Sequence, residues 1–315
     1  MRILRITMNG EEHPHYTITT AFTESFDFVK TIWWQQVNDL NNLIFNEVTN
    51  GNYDAVFLQL QSDGIINEHA AAAISQHSIG FNWTGDVRTE IDWYARMGKY
   101  FVTCFTNMTD IEKMRALGLR AEYLQVGYDH NYYYPAPTPF KDNIVFCANN
   151  FDTSGYPLSG LRKEIAISLR NEFRHRFSLY GRNWLKFGIR ADLEAADNMK
   201  EAEVYRACAI AINCSHFNYS RYSSDRLFRE MACGAFVLSH KFKDYNIDFK
   251  EGKHLVTWDS IPDLINKCHY YLNHEKERKA IADKGREYAI NNATWNVRMI
   301  EFKKLIDKYK HNGVS

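Results

Sequence analysis

Short runs of β-branched and aromatic residues alternate along this chain with stretches whose apolar positions fall three and four apart. The first pattern predicts strands and the second helices. Strands are expected at residues 3–7, 55–60, 78–83, 100–105 and 122–125, with helices over 25–48, 67–76, 88–96 and 110–116. The alternation breaks at Tyr132-Tyr133-Tyr134-Pro135-Ala136-Pro137-Thr138-Pro139, where three of the chain's six prolines favour an extended connection. It then resumes with strands at 144–148, 177–180, 209–213, 236–239 and 254–258. Helices follow over 158–171, 201–207, 225–232, 261–272 and 275–290, and a last amphipathic helix spans 295–309. Two successive βαβ arrays predict an α/β protein with two Rossmann-like, doubly wound domains, 1–137 and 138–293, followed by a terminal segment 294–315. Ligands of such sheets bind beyond the carboxyl ends of the strands, so the expected site is a cleft that the two domains face.

The segment Ser223-Ser224-Asp225-Arg226-Leu227-Phe228-Arg229-Glu230-Met231-Ala232-Cys233-Gly234 is the most informative stretch. On a helical wheel Leu227, Phe228, Met231 and Ala232 share one side, and Asp225, Arg226, Arg229 and Glu230 the other. Ser223 or Ser224 can cap the N-terminus, and Gly234 suits the stop. A helix N-terminus offers unpaired N–H groups to an anion, and Arg226 in the first turn adds a cation. The plainer reading is a surface helix with ion pairs Asp225–Arg229 and Arg226–Glu230, each worth about 0.3 kcal/mol.

Composition narrows the classes. Apolar residues at 45% and charged ones at 24% describe a globular chain, and 38 basic against 38 acidic residues give zero formal charge. That balance argues against a protein coated in nucleic acid, though not against a local basic groove. No apolar run approaches the ~18 residues that span a bilayer. No signal peptide is visible, and the six scattered cysteines lack CxxC spacing, so reduced thiols and a cytoplasmic location are expected, without a bound metal. After the first strand, Met8-Asn9-Gly10-Glu11-Glu12-His13-Pro14-His15 lacks the glycines of a dinucleotide fingerprint, and no phosphate-binding GxxxxGK[ST] loop occurs.

Several segments, in order, resemble one family. Ile144-Val145-Phe146-Cys147-Ala148-Asn149 with Arg162 resembles its opening strand and following arginine. Leu179-Tyr180-Gly181-Arg182-Asn183-Trp184 resembles "YGxxW", and Glu203-Val204-Tyr205 through Ile212-Asn213 resembles "VY…LN". Arg226, Phe228 and Ala232-Cys233-Gly234 match "RxFExxACG", while Tyr270-Tyr271-Leu272 with Glu277-Arg278 match "YYLxxxxER". Phe81 to Asp86 and Gly127-Tyr128-Asp129 through Tyr134-Pro135 add weaker matches. Together these resemble the GT-B glycosyltransferases, particularly group-1-type enzymes related to the spore-maturation CgeB proteins, most strongly over residues 143–308. One departure stands out: Arg229 occupies the place of the family's usual ribose-binding glutamate, with Glu230 about 100° further round the helix.

The resemblance implies two domains about a cleft, the last helix crossing back to the first, and sugar transfer from a nucleotide-sugar donor without a metal or other cofactor. Donor binding then falls to Arg226 and Arg162, with Ser223, Ser224, Asp225, Arg229, Glu230, Tyr222 and Gly181 around them. Arg221 and Arg182 are further candidates for the diphosphate clamp, with solvated surface charge the first reading of each. Asp86, at a strand end, is a candidate base or a helix cap, and His15, in the loop after the first strand, is a second catalytic candidate or a structural or exposed histidine. Asp129 and His130 suit a turn. Trp33-Trp34 reads as core packing or as a stacking surface for a sugar, and Tyr219 and Tyr222 as loop anchors or base-stacking groups. The acceptor is open: a glycan, a protein, a lipid-linked precursor or a modified DNA base. Two other readings stand beside transfer, namely a non-catalytic two-lobed sugar- or nucleotide-binding protein and a sugar-nucleotide epimerase of the same architecture.

Overall fold

The computed structural model describes residues 1–8, 16–87, 90–138, 144–151, 154–193 and 198–311. They fall into two units, Met1–Gly127 with Trp295–Ser315, and Tyr128–Thr294. Unit 1 runs β1 (Arg2–Thr7), α1 (Tyr16–Ser25), β2 (Phe28–Trp33), α2 (Leu40–Asn50), β3 (Ala55–Leu58), α3 (Glu68–His77), β4 (Ile79–Thr84), α4 (Asp92–Met97), β5 (Phe101–Phe105), α5 (Met108–Ala116) and β6 (Ala121–Tyr123). Its strands pair in parallel in the order β2-β1-β3-β4-β5-β6. Every residue of β3, β4 and β5 is buried, as a parallel sheet covered on both faces requires.

Unit 2 runs β7 (Ile144–Cys147), α6 (Ser159–Phe173), β8 (Phe177–Tyr180), α7 (Asn198–Ala207), β9 (Ile210–Asn213), α8 (Asp225–Ala232), β10 (Phe236–His240), α9 (Tyr245–Asp248), β11 (Val256–Trp258), α10 (Ile261–Asn273) and α11 (Glu275–Asn292). These strands are also parallel, in the order β11-β10-β9-β7-β8. The fold is therefore α/β with two parallel sheets.

A final helix, α12 (Trp295–His311), packs on the sheet of unit 1. Phe302 meets Phe57 and Phe81 edge-on at 5.1 and 5.2 Å between ring centroids, and Trp295 meets Trp83 at 5.6 Å. With α1 it covers one face, while α2 and α3 cover the other through Ile44, Val48, Ala70 and Ile74.

One expectation fails. Residues 25–48 do not form one helix: they contain the edge strand β2 and a 3₁₀ turn, Trp34–Gln36, before α2 begins. Among the described residues β2 pairs only with β1, so just one of its side chains, Ile32, is fully buried, and the period-two signal of a strand is weak.

Candidate functional site

In unit 2 the strand order reverses at β7, which lies between β8 and β9, so the carboxyl ends of β7 and β9 flank the switch point where ligands of such sheets bind. Arg162, near the start of α6, bridges those two ends. Its Nη1 donates to the Asn149 carbonyl beyond β7 at 2.6 Å, and Nε and Nη2 donate to the Cys214 carbonyl beyond β9 at 2.9 and 2.5 Å. Nη1 also meets both ring nitrogens of His216, at 2.8 and 3.0 Å. The Arg162 side chain is 1% exposed, and burial, with repulsion from Arg226, brings its pKa down to about 10. Burial, then Arg162 and Arg226, push His216 down to about 2, so its ring is neutral and accepts. Arg162 thus spends its donors on backbone and His216, holding the crevice walls together.

α8 starts beside β9. Ser224 occupies its N-cap position with extended backbone, but its hydroxyl makes no capping hydrogen bond; Ser223 is buried. Gly234, at φ +84°, ends the helix. Arg226 is half-buried in the first turn, and among the described residues its guanidinium makes no hydrogen bond or ion pair. Burial works against its charge, but Asp225, Tyr205 and Glu201 outweigh it and raise the pKa. The Arg226–Glu230 pair does not form. Glu230, 1% exposed, accepts instead from Asn213 Nδ2 at the end of β9, at 3.0 Å. Burial pushes the Glu230 carboxyl well above the usual range, against the pull of Asn213 and Arg226.

Arg229 turns the other way. It pairs with Asp225 at 2.7 Å, as the i,i+4 spacing predicts, and donates to Glu201 Oε2 at 3.0 Å, with its guanidinium 4.9 Å from the Tyr133 ring centre. Burial opposes its charge, yet Asp225 and Glu201 raise its pKa. Glu201 also accepts from the hydroxyls of Tyr133 and Tyr205 at 2.7 and 2.9 Å. Nearby, Arg206 donates to the carbonyls of Tyr132 and Tyr134 at 2.7 and 2.6 Å. The Tyr132-Tyr133-Tyr134 segment is therefore fastened to α7 and α8.

The remaining candidates separate clearly. Gly181 has φ +132°, and a Cβ there would lie 2.1 Å from the Ala148 carbonyl oxygen, so glycine lets the chain beyond β8 pass the end of β7. Arg221, read as solvated charge, chelates Asp248 at 2.9 and 2.6 Å, and Ser220 donates to Asp244 at 2.6 Å. The buried Tyr222 ring meets Phe217 edge-on at 6.3 Å, which anchors the loop before α8. Asp86 is exposed beyond β4; the N-cap of α4 is Ile91, so Asp86 does not cap it. Asp129 forms the expected turn, accepting from the Asn131 N–H at 2.8 Å. His15 lies outside the described residues. Among those residues no group of His, Cys, Asp or Glu is arranged to hold a metal ion, and no helix is long and apolar enough to cross a membrane.

Sequence reasoning passed over Glu201, Tyr133, Asn213 and His216. Only the Glu201–Tyr205 spacing of i,i+4 offered a local signal; the other contacts join residues far apart in the chain.

Residues 162–304 match the family described as glycosyl transferase-like. No curated protein matches the chain. Among solved structures, HepE from Anabaena, in complex with UDP and glucose, is similar with a TM-score of 0.68 at 11% identity, over 98% of this chain and 100% of its own. Sucrose-phosphate synthase from Thermosynechococcus elongatus gives 0.67 at 11%, over 99% and 100%. A glycosyltransferase from Rickettsia africae gives 0.65 at 10%, over 99% of both chains. The likeness shows a GT-B glycosyltransferase fold, and the family match spans most of the second unit and the first part of α12.

Proposed function

We propose that this chain is a glycosyltransferase that moves a sugar from a nucleotide-sugar donor to a hydroxyl acceptor, with the donor diphosphate at the N-terminal end of α8. One observation carries the reading. Of the arginines around the carboxyl edge of the second sheet, Arg162, Arg221 and Arg229 are engaged by protein partners and Arg182 is exposed, whereas Arg226, half-buried, makes no hydrogen bond or ion pair among the described residues. A half-buried cation beside a helix N-terminus stabilises charge that builds on a leaving diphosphate.

In the reaction the bond from the anomeric carbon to the diphosphate oxygen breaks, and the acceptor oxygen forms the new bond. The acceptor proton leaves to a base or to the departing phosphate. Arg226 and the first N–H groups of α8 carry the leaving-group charge without a resident metal. Glu230, on the β9 side of α8 and one residue on from the family's usual position, is our candidate for the ribose, which it would reach by giving up its bond to Asn213. Asp86 is the candidate base for an inverting enzyme. The order of motifs over residues 143–308 supports kinship with the CgeB-like branch, and six free cysteines suit the cytoplasm. HepE's UDP makes a uridine nucleotide the first donor to try; the acceptor class is a glycan, protein, lipid-linked precursor or modified base. Because Glu201 and Asp225 account for Arg229, its presence does not favour a non-catalytic binder.

Thermal unfolding with UDP, GDP, ADP, CDP and TDP tests this. One nucleotide should raise Tm, and Arg226→Ala should abolish the rise. A folded protein that no nucleotide stabilises would overturn the reading.

A further inference from the structure

A cavity of about 430 Å³ opens in unit 1 between the segment after β2 and the loop after β3, at the carboxyl edge of the first sheet. Its wall includes Trp34, Asn38, Asp39, Asn41, Ser62 and Asp63. The size falls within the range of small-ligand sites.

Its polar groups are held in place yet keep bonding capacity. Asp39 accepts from Asn42 Nδ2 at 2.6 Å, and Asn41 Oδ1 accepts from the Asn67 N–H at 2.8 Å, which leaves the Asn41 amide NH₂ to donate. Asp63 pairs with Arg96 and accepts from the Gly64 N–H at 2.8 Å. Each carboxylate retains lone pairs, and Asn38 and Ser62 are exposed. Trp34 is half-buried, and among the described residues its indole N–H has no acceptor.

Acceptors, amide donors and a hydroxyl beside an indole are the complement of a polyhydroxylated ring. Sugar hydroxyls both donate and accept, while C–H faces pack on aromatic rings. Arg96 balances Asp63, and the Asp39 carboxylate repels phosphate, so the donor diphosphate is the wrong charge for this cavity. We infer that the cavity seats an uncharged monosaccharide unit of a glycan acceptor, against Trp34 and between Asn38, Asn41 and the two aspartates. The inference rests on the transferase reading and narrows its acceptor from several classes to one.

Saturation-transfer NMR on the full chain tests it, with methyl β-glucoside, methyl β-galactoside and methyl N-acetyl-β-glucosaminide as probes and UDP binding measured on the same samples. At least one glycoside should receive saturation. Asn38→Ala should weaken that binding about tenfold. Ser62→Trp, which fills the cavity from an exposed loop position, should abolish it while the melting curve stays that of the wild type. No transfer to any glycoside, or unchanged binding in folded Ser62→Trp, would overturn the inference. A chain that binds UDP but no glycoside fails this inference alone; one that binds a glycoside at the cavity but no nucleotide fails the transferase reading instead.

Discussion

Arg229 and Glu230 share a peptide bond and serve opposite sides of α8. Arg229 reaches Glu201 at 3.0 Å and lies against Tyr133, whereas Glu230 accepts from Asn213 at the carboxyl end of β9. The residue that departs from the family pattern is thus a fastening for the Tyr132-Tyr133-Tyr134 segment, and the carboxylate near the crevice is its neighbour.

Breaking that fastening should destabilise the fold. Arg229→Ala or Glu201→Gln is expected to cost about 2 kcal/mol in urea unfolding, because each removes the opposite charge from a largely buried group, while Asp225 still holds Arg229 and two tyrosine hydroxyls still serve Glu201. The double variant should cost less than the sum. Arg229→Glu would set a third carboxylate beside Asp225 and Glu201 and should be worse than alanine; a gain in stability there would refute the network.

Arg162 and Arg226 should behave differently without ligand. Arg226→Ala removes no hydrogen-bond or ion-pair partner among the described residues and should leave unfolding within about 0.5 kcal/mol of wild type. Arg162→Lys cannot serve carbonyls beyond two strands at once and should cost about 3 kcal/mol. Equal melting of the two variants would contradict the assignment of Arg162 as a bridge.

Gly181→Ala should cost about 3 kcal/mol, since the new Cβ meets the Ala148 carbonyl at 2.1 Å and φ is +132°. Neither neighbour is the end of a flexible side chain, so relief requires moving the end of β7. Chemical denaturation reads the effect directly.

His216 should make the fold acid-sensitive. In the folded chain its ring is neutral down to about pH 2, whereas the unfolded ring takes a proton near pH 6.5. Below pH 6.5 the unfolded state binds more protons, so this contribution is complete above that pH and is lost progressively as pH falls. Glu230, its carboxyl pushed up, works with the opposite sign: its contribution is lost as pH rises above the ordinary carboxylate range. Comparing wild type with His216→Gln cancels Glu230. The stability difference should change by about 1.4 kcal/mol per pH unit between about pH 6 and about pH 4.5. A flat difference would mean that His216 is charged in the fold.

Much of this architecture was legible in residue pattern. α8 has the bounds its wheel predicts, Asp225 to Ala232, because its apolar stripe is complete and Gly234 stops it. The strands of the second sheet are short apolar runs between polar turns and were equally plain. β2 was not, because an edge strand with alternating half-exposed side chains imitates one face of a helix. At the site, the sequence shows which residues are cations but not how their donors are spent. Arg162 finds Cys214 and His216 more than fifty positions away, and Arg229 finds Glu201 across 28.

Because α12 belongs to unit 1, the order of synthesis opposes the order in which cores can close. The strands of the first sheet leave the ribosome before those of the second, yet Trp295 and Phe302, which cover Trp83, Phe57 and Phe81, follow the whole of unit 2. Unit 2 is contiguous from Tyr128 to Thr294 and can complete its core while the first sheet still waits with one aromatic face uncovered. Nascent chains arrested just before α12 should therefore yield a protease-resistant second unit and a digestible first one. Of the two units, the one begun first is thus the later to become a domain, and until then its exposed aromatic face is a natural client for chaperones.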